Sequence, residues 1–276
     1  MNDLPPSDSA DLRRTQAPNP LVDLIYKSLV IAEMDVRKLR HDFTELLTRA
    51  IQPMLWLLLF GEVMARSRTI PTGGMDYLDF LAPGILAQSV LFVAIFYGID
   101  VIWERDMGVL YKLLASPTPR TALVLGKALA VGARALSQLL VVFVVSALLG
   151  VNVSHDPLAL LGLVAVAWIG AALFSTFSLI IACIVKTRER FMGIGQVLTM
   201  PLFFASNAIY PIAMMPAWLQ AVAHANPLSY QVDALRALML ADGHSSFGLG
   251  VDFAVLLTVT ALLIAVAARM YPRLAI

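Results

Sequence analysis

The chain has one cysteine, Cys183, in 276 residues, and Asp, Glu, Lys and Arg together make only 14% of it. A single thiol forms no intrachain disulfide, and its place inside an apolar run assigns it to packing. Net charge is +1, without the broad basic surface a nucleic-acid partner would need, so none is expected. No GxxxxGK[ST] phosphate loop occurs, which leaves Gly126-Lys127 without the context of a nucleotide site, and no HExxH or CxxC metal pattern is present. The four histidines, His41, His155, His224 and His244, never fall four residues apart. No catalytic residue, metal or cofactor is therefore expected in this chain, which is read as not an enzyme. Charge is also scarce within the apolar runs. Asp100, Glu62 and Asp252 lie near run ends, which gives an ion-coupled carrier little of the buried charge it needs.

What the chain has in excess is apolar surface, 59% hydrophobic residues with mean hydropathy +0.79. That composition excludes an ordinary soluble domain and predicts an all-α polytopic membrane protein. Residues 1–20, polar and marked by Pro5, Pro6, Pro18 and Pro20, read as a disordered cytoplasmic tail and not as a secretory signal. Residues 21–48 place apolar side chains at near-helical spacing opposite Lys27, Arg37, Lys38 and Arg40, which predicts an amphipathic helix in the headgroup region. A transmembrane domain follows over 50–276. Its six apolar runs, at about 50–65, 79–102, 133–151, 158–185, 191–210 and 251–270, each approach the roughly 20 residues a crossing needs. With both termini cytoplasmic, all of the 20 basic residues except Arg66, Arg68 and Arg236 fall on the inner side, as the positive-inside rule requires.

Between the second and third runs, Glu104 to Lys127 forms a charged segment interrupted by glycine and proline. Glu104, Arg105 and Asp106 precede Gly108. Val109 to Ala115 then reads as a short amphipathic helix stopped by Ser116, Pro117 and Pro119. Lys127 and Arg134, seven residues apart, are expected to reach the inner headgroups from an extension of the third span. Between the fifth and sixth runs, two short helices are expected on the outer face, re-entrant or interfacial. The second is capped by Ser229, with Asp233 and Arg236 pairing along it. Polar residues in the spans, including Gln88, Ser89, Gln138, Ser175, Thr176, Ser178, Gln196 and Thr199, are mostly accounted for by hydrogen bonds between helices.

Trp103 to Gly108 running into Leu113-Leu114-Ala115-Ser116-Pro117 and then Gly126-Lys127 resembles the conserved loop of ABC-2 type transporter permeases, the membrane subunits similar to daunorubicin-resistance and nodulation-factor exporters. Ser206-Asn207-Ala208 through Pro211, Pro216 and Trp218 to Asn226-Pro227-Leu228-Ser229-Tyr230, with Asp233 and Arg236, resembles that family's second signature. One position departs, since the glutamate usual three residues after the glycine of the first motif is here Tyr111. The resemblance implies a fold like that of type V ABC exporters. It also implies a second permease subunit, read as another copy of this chain, in a bacterial plasma (inner) membrane, with membrane lipids around it. Two separate ABC ATPase subunits would bind ATP and Mg. Glu104, Arg105, Asp106, Gly108, Lys112, Ser116 and Pro117 would then be the coupling helix and its approach. Asn226, Pro227, Tyr230, Asp233 and Arg236 would form the outer-helix motif. Phe92, Phe96, Phe203, Phe204 and Asn207 are expected along an apolar path for a lipid-like, glycolipid, polysaccharide or amphiphilic drug substrate. The alternatives are an ion-coupled secondary carrier using Asp100 and a membrane scaffold that transports nothing.

Overall fold

The computed structural model describes residues 20–39, 51–67, 70–72, 74–115, 118–185 and 187–275. The described chain is helical: α1 (Pro20–Leu39), α2 (51–67), α3 (Tyr77–Asp106), α4 (Val109–Ala115), α5 (Arg120–Leu148), α6 (Pro157–Ile184), α7 (Arg188–Phe204), α8 (Ala217–Ala225), α9 (Pro227–Met239) and α10 (Leu249–Met270). Among the described residues, four helices are long and apolar enough to cross a membrane: α3, α5, α6 and α10, the last prolonged to Leu274 by a 3-10 turn. They begin and end within a few residues of the hydropathy runs, except α5, which starts at Arg120 and so includes the helical extension expected ahead of the third run. The runs expected at 50–65 and 191–210 correspond to the shorter helices α2 and α7. The middle of α2, Trp56–Gly61, is π-wound.

The central helix is α3, with 78% of its most apolar window buried against 22% for α10 at the periphery. It packs against α5, α6, α7 and α9, while α6 in turn carries α10. Small residues set the closest approaches. A Cβ at Gly98 would stand 2.3 Å from the Phe191 ring of α7, and one at Gly132 would stand 2.1 Å from Trp168 of α6. Glycine at these points lets backbones and rings meet where no hydrophobic force separates helix from lipid.

The amphipathic helix is present, but the side that seats it is not its most apolar one. Ser28, Ile31, Ala32 and Asp35, at successive helical spacings, are buried, while Ile25, Tyr26, Leu29 and Val30 are exposed. The reason is Gly126 on α5, where a Cβ would lie 2.6 Å from Ile31 Cβ and 2.8 Å from the Ser28 carbonyl. Small residues dock against α5, and the bulky apolar ones are left for the lipid surface. The remainder of the expected helix, 40–48, lies outside the described residues, as do 1–19.

At the end of the bundle away from α4, the connections are tied to one another. The α5–α6 link pairs with the end of α9 through a Val153–Leu240 bridge, with Ser154 N donating to Met239 O at 2.8 Å. Asp156 caps α6, accepting from the amides of Leu158 and Ala159, and Pro157 follows at the first helical position. Both short helices expected between the last two runs are present as α8 and α9. The cap of α9 is Asn226, not Ser229. The Asn226 Oδ1 accepts from Leu228 N at 3.0 Å, while Ser229 is buried one turn in with its hydroxyl unpartnered.

Candidate functional site

The segment 104–127 is built from the end of α3 outward. Met107 N donates to Trp103 O and Gly108 N to Arg105 O, both at 2.9 Å, and Gly108 takes φ +74. A left-handed residue ends the helix there with its last carbonyls satisfied, and glycine carries no Cβ penalty for it. The chain turns directly into α4, which buries Leu110 completely and exposes Tyr111 and Lys112. Ser116 and Pro117, two of the expected coupling residues, lie outside the described residues.

The three charges ahead of Gly108 are divided between inside and outside. Glu104 points inward, with its side chain 7% exposed and 2.5 Å from Lys127 Nζ, which is itself 2% exposed. Lys127 also lies 3.9 Å from the buried carboxylate of Asp35 on α1, and Tyr97 Oη donates to that carboxylate at 2.6 Å. One turn deeper, Arg134 holds Asp100 at 2.7 Å and rests over the Tyr97 ring. The expectation that Lys127 and Arg134 reach for headgroups is thus corrected. Their shared face turns toward α3, where Asp100 and Glu104, four residues apart, meet them. Direct pairing inside the bundle replaces snorkelling because it satisfies both partners at once.

Asp106 faces out and accepts from Arg105 at 2.9 Å and from Arg188 of α7 at 2.7 Å. The Arg188 guanidinium also lies 3.5 Å from the centre of the Trp103 ring, a cation–π contact. The turn before α4 is therefore linked by ion pairs to α5 and α7, and through Lys127 to α1. Asp35 and Arg188 were missed by sequence reasoning. Their only signal was charge on helices adjoining the segment, and nothing in the sequence says which charges meet.

A cavity of about 520 Å³ opens beside α3. Phe92 and Phe96, with ring centroids 6.1 Å apart, line it with Gln88, Ser89, Gln138 of α5 and Gln196 of α7. Two of the expected path residues are thus brought together, and three are not. Phe203 is fully buried against Trp56, with ring centroids 6.3 Å apart. Phe204 is 43% exposed on the outside of the bundle, and Asn207 borders a separate cavity of about 420 Å³ at the far end. The polar residues of the spans also behave differently from expectation. Ser89, Thr176 and Thr199 bond carbonyls of their own helices, Ser178 crosses to Ile95 O and accepts from Gly98 N, and Gln88 Nε2 and Gln138 Oε1 have no partner.

The second motif builds the far end. Asn226 Nδ2 donates to Leu202 O at 2.7 Å and Ala205 O at 3.0 Å, so this one residue satisfies the end of α7 and the start of α9. Tyr230 Oη donates to His224 O, and its ring lies against Phe247. Arg236 and Asp233 form no direct ion pair, contrary to expectation. The Arg236 Nη2 donates to Phe80 O at 3.1 Å and Asn207 O at 2.8 Å, with the guanidinium over the Phe80 ring. Asp233 accepts instead from Ser245 Oγ and Phe247 N, both at 2.9 Å. Arg236 turns to the carbonyls because α3 and the turn after α7 bring two acceptors within its reach. Burial pushes its pKa down to about 10, and the Asp233 charge opposes that fall, so Arg236 stays charged at neutral pH.

Comparison with known proteins agrees with this arrangement. A family model described as ABC-2 type transporter matches residues 27–240. The chain is 28% identical over 221 residues to the "Putative transport permease ycf38" of Cyanophora paradoxa, covering 79% of this chain and 74% of the relative. It is 28% identical over 243 residues to the daunorubicin resistance ABC transporter permease protein DrrB1 of Streptomyces coeruleorubidus, covering 85% and 81%. Nodulation protein J of Rhizobium leguminosarum bv. trifolii is 26% identical over 201 residues, covering 72% and 74%. With its helices, its Gly108 turn and its Asn226 cap set in that frame, the chain belongs to the ABC-2 type transporter family, as a membrane protein of the permease kind.

Proposed function

We propose that this chain is the membrane subunit of an ATP-binding cassette exporter, driven by two separate ATPase subunits that bind ATP and Mg and seat α4. The observation that carries the reading is the buried Lys127–Glu104 pair. It fastens the turn before α4 to α5, so a displacement of α4 pulls on helices that line the cavity. Arg105, Asp106, Gly108 and Lys112 in this reading lie at or beside the docking surface, and Ser116 and Pro117 join that set by the family motif alone. Glu104 acts from inside through Lys127. In this reading α2 and α7 complete six crossings in a pair of identical subunits. At 17 residues, α7 is about 26 Å long and needs local thinning of the bilayer to cross. In the same reading α4 and both termini lie on the cytoplasmic side of a bacterial inner membrane, and the distribution of the basic residues along the sequence supports that orientation. The substrate is a lipid-like or amphiphilic molecule, a class that accords with the drug-resistance name of one relative. Asp100, held by Arg134, gives an ion-coupled carrier no added support.

The test is reconstitution in proteoliposomes with and without the partner ATPase. Flux of a labelled amphiphile that requires both ATP and the ATPase supports the permease. Flux under an ion gradient alone sinks it in favour of a carrier, and the absence of flux in every condition favours a scaffold.

Docking itself has a narrower expectation. Lys112→Glu and Lys112→Ala change an exposed side chain, so thermal stability should stay within about 0.5 kcal/mol of the parent. Each should lower ATPase recovery in pull-down by about tenfold, the effect of losing one well-packed anchor. Unchanged recovery from both would remove α4 from the interface.

A further inference from the structure

The cavity beside α3 is lined by four glutamines and two phenylalanines. Gln88 from α3 and Gln138 from α5 are 3% and 1% exposed, Gln52 and Gln196 stand at its open side, and Phe92 and Phe96 stack along one wall. A buried amide within a membrane protein ordinarily finds a partner on a neighbouring helix, because lipid offers none. Here Gln88 Nε2 and Gln138 Oε1 have none, although both residues border the same cavity. One is a donor and the other an acceptor, which is the complement of a hydroxyl or an amide.

The charges around the cavity are already engaged. Asp100 is the acidic residue on its wall, and Arg134 holds it at 2.7 Å. A cation entering would compete with Arg134 for Asp100, and an anion would compete with Asp100 for Arg134. Four neutral amides impose no such competition. The paired rings offer apolar area for a chain or for the flat face of a sugar.

We infer that this cavity recognises an amphiphile whose polar part is uncharged and rich in hydroxyl or amide groups, bound by Gln88 and Gln138 with its apolar part on Phe92 and Phe96. The inference rests on the permease reading and narrows the substrate class within it. Cationic drugs and anionic lipids of similar size are discriminated against at this site.

The experiment measures binding of decyl maltoside, decyltrimethylammonium and decyl sulfate to the full chain in nanodiscs, each below its micellar concentration, with empty nanodiscs subtracted. Maltoside should bind about tenfold more tightly than either charged amphiphile, and Gln88→Leu and Gln138→Leu should each weaken it about five- to tenfold, the usual loss on deleting one buried hydrogen-bonding group. Gln88→Glu should raise the affinity for decyltrimethylammonium relative to maltoside, a gain that a merely misfolded variant cannot show. Equal affinities for the three headgroups, or maltoside binding unchanged by all three substitutions, would overturn the inference. No ATPase enters the measurement, so headgroup selectivity is read independently of ATP-driven flux and the two failures are told apart. ATP-driven flux with no headgroup preference refutes this inference alone.

Discussion

Lys127→Ala is expected to destabilise the protein by about 3–5 kcal/mol, the cost of removing one partner from a buried ion pair. Two buried carboxylates would lose that cation. Glu104 would lose its 2.5 Å contact, and Asp35 would keep Tyr97 Oη but lose the nearby positive charge. Under the permease reading, ATP-driven flux should fall to background, because α1, α3 and α5 would no longer move as one body near α4. A triple variant, Lys127→Met with Glu104→Met and Asp35→Asn, separates the two effects, the asparagine keeping an acceptor for Tyr97 Oη. Replacing a buried ion pair by hydrophobic residues of similar volume is often neutral for stability. The triple variant should therefore recover most of the lost thermal midpoint in detergent while flux stays impaired. Should the single substitution leave the midpoint where it was, the buried pair would not be holding these helices. Recovery of flux along with the midpoint would show that the pair stabilises the fold without transmitting motion.

That pair also marks where sequence reading stopped. Hydropathy located α3, α6 and α10 closely, because an apolar run about 20 residues long has few alternatives in a membrane. It placed the third apolar run near 133, and α5 begins at Arg120, so the helical extension expected ahead of that run is part of the same helix. Lys127 and Arg134 each depress a window average, and no average registers that Glu104 and Asp100 neutralise them from another helix. The same blindness hid Arg188, which reads as a loop charge beside Lys186 until Asp106 and Trp103 are placed next to it. Phe92 and Phe96, four apart on one helix, were legible as a shared face, whereas Phe203 and Phe204, adjacent in sequence, point in different directions from α7. The second motif was recognised, but its mechanics were not. The two bonds from Asn226 to the end of α7 depend on a connection between helices that no local pattern encodes.

Gly84→Val should be nearly as damaging from the opposite end of α3. A Cβ at Gly84 would stand 2.3 Å from the Ala208 carbonyl oxygen and 2.8 Å from Ala208 Cα, so the obstacle is backbone and not a side chain that can rotate away. Overpacking of this kind costs about 1–3 kcal/mol, and more where the neighbour cannot yield. Displacing Ala208 also displaces Asn207, whose carbonyl accepts from Arg236 at 2.8 Å, and Ile209, whose carbonyl accepts from Tyr77 Oη at 3.2 Å. A buried guanidinium losing one of its two acceptors adds about 1.5–3 kcal/mol to the penalty. Gly193→Ala is the matched control. Gly193 is an exposed α7 glycine with nothing within 4 Å of a new Cβ, and alanine there should be neutral or stabilising by up to about 1 kcal/mol. Thermal unfolding of both variants in one detergent reads the difference directly. If Gly84→Val melts with the parent, the contact between α3 and the turn after α7 is not the tight one described, and the clamp built by Arg236 does not depend on it.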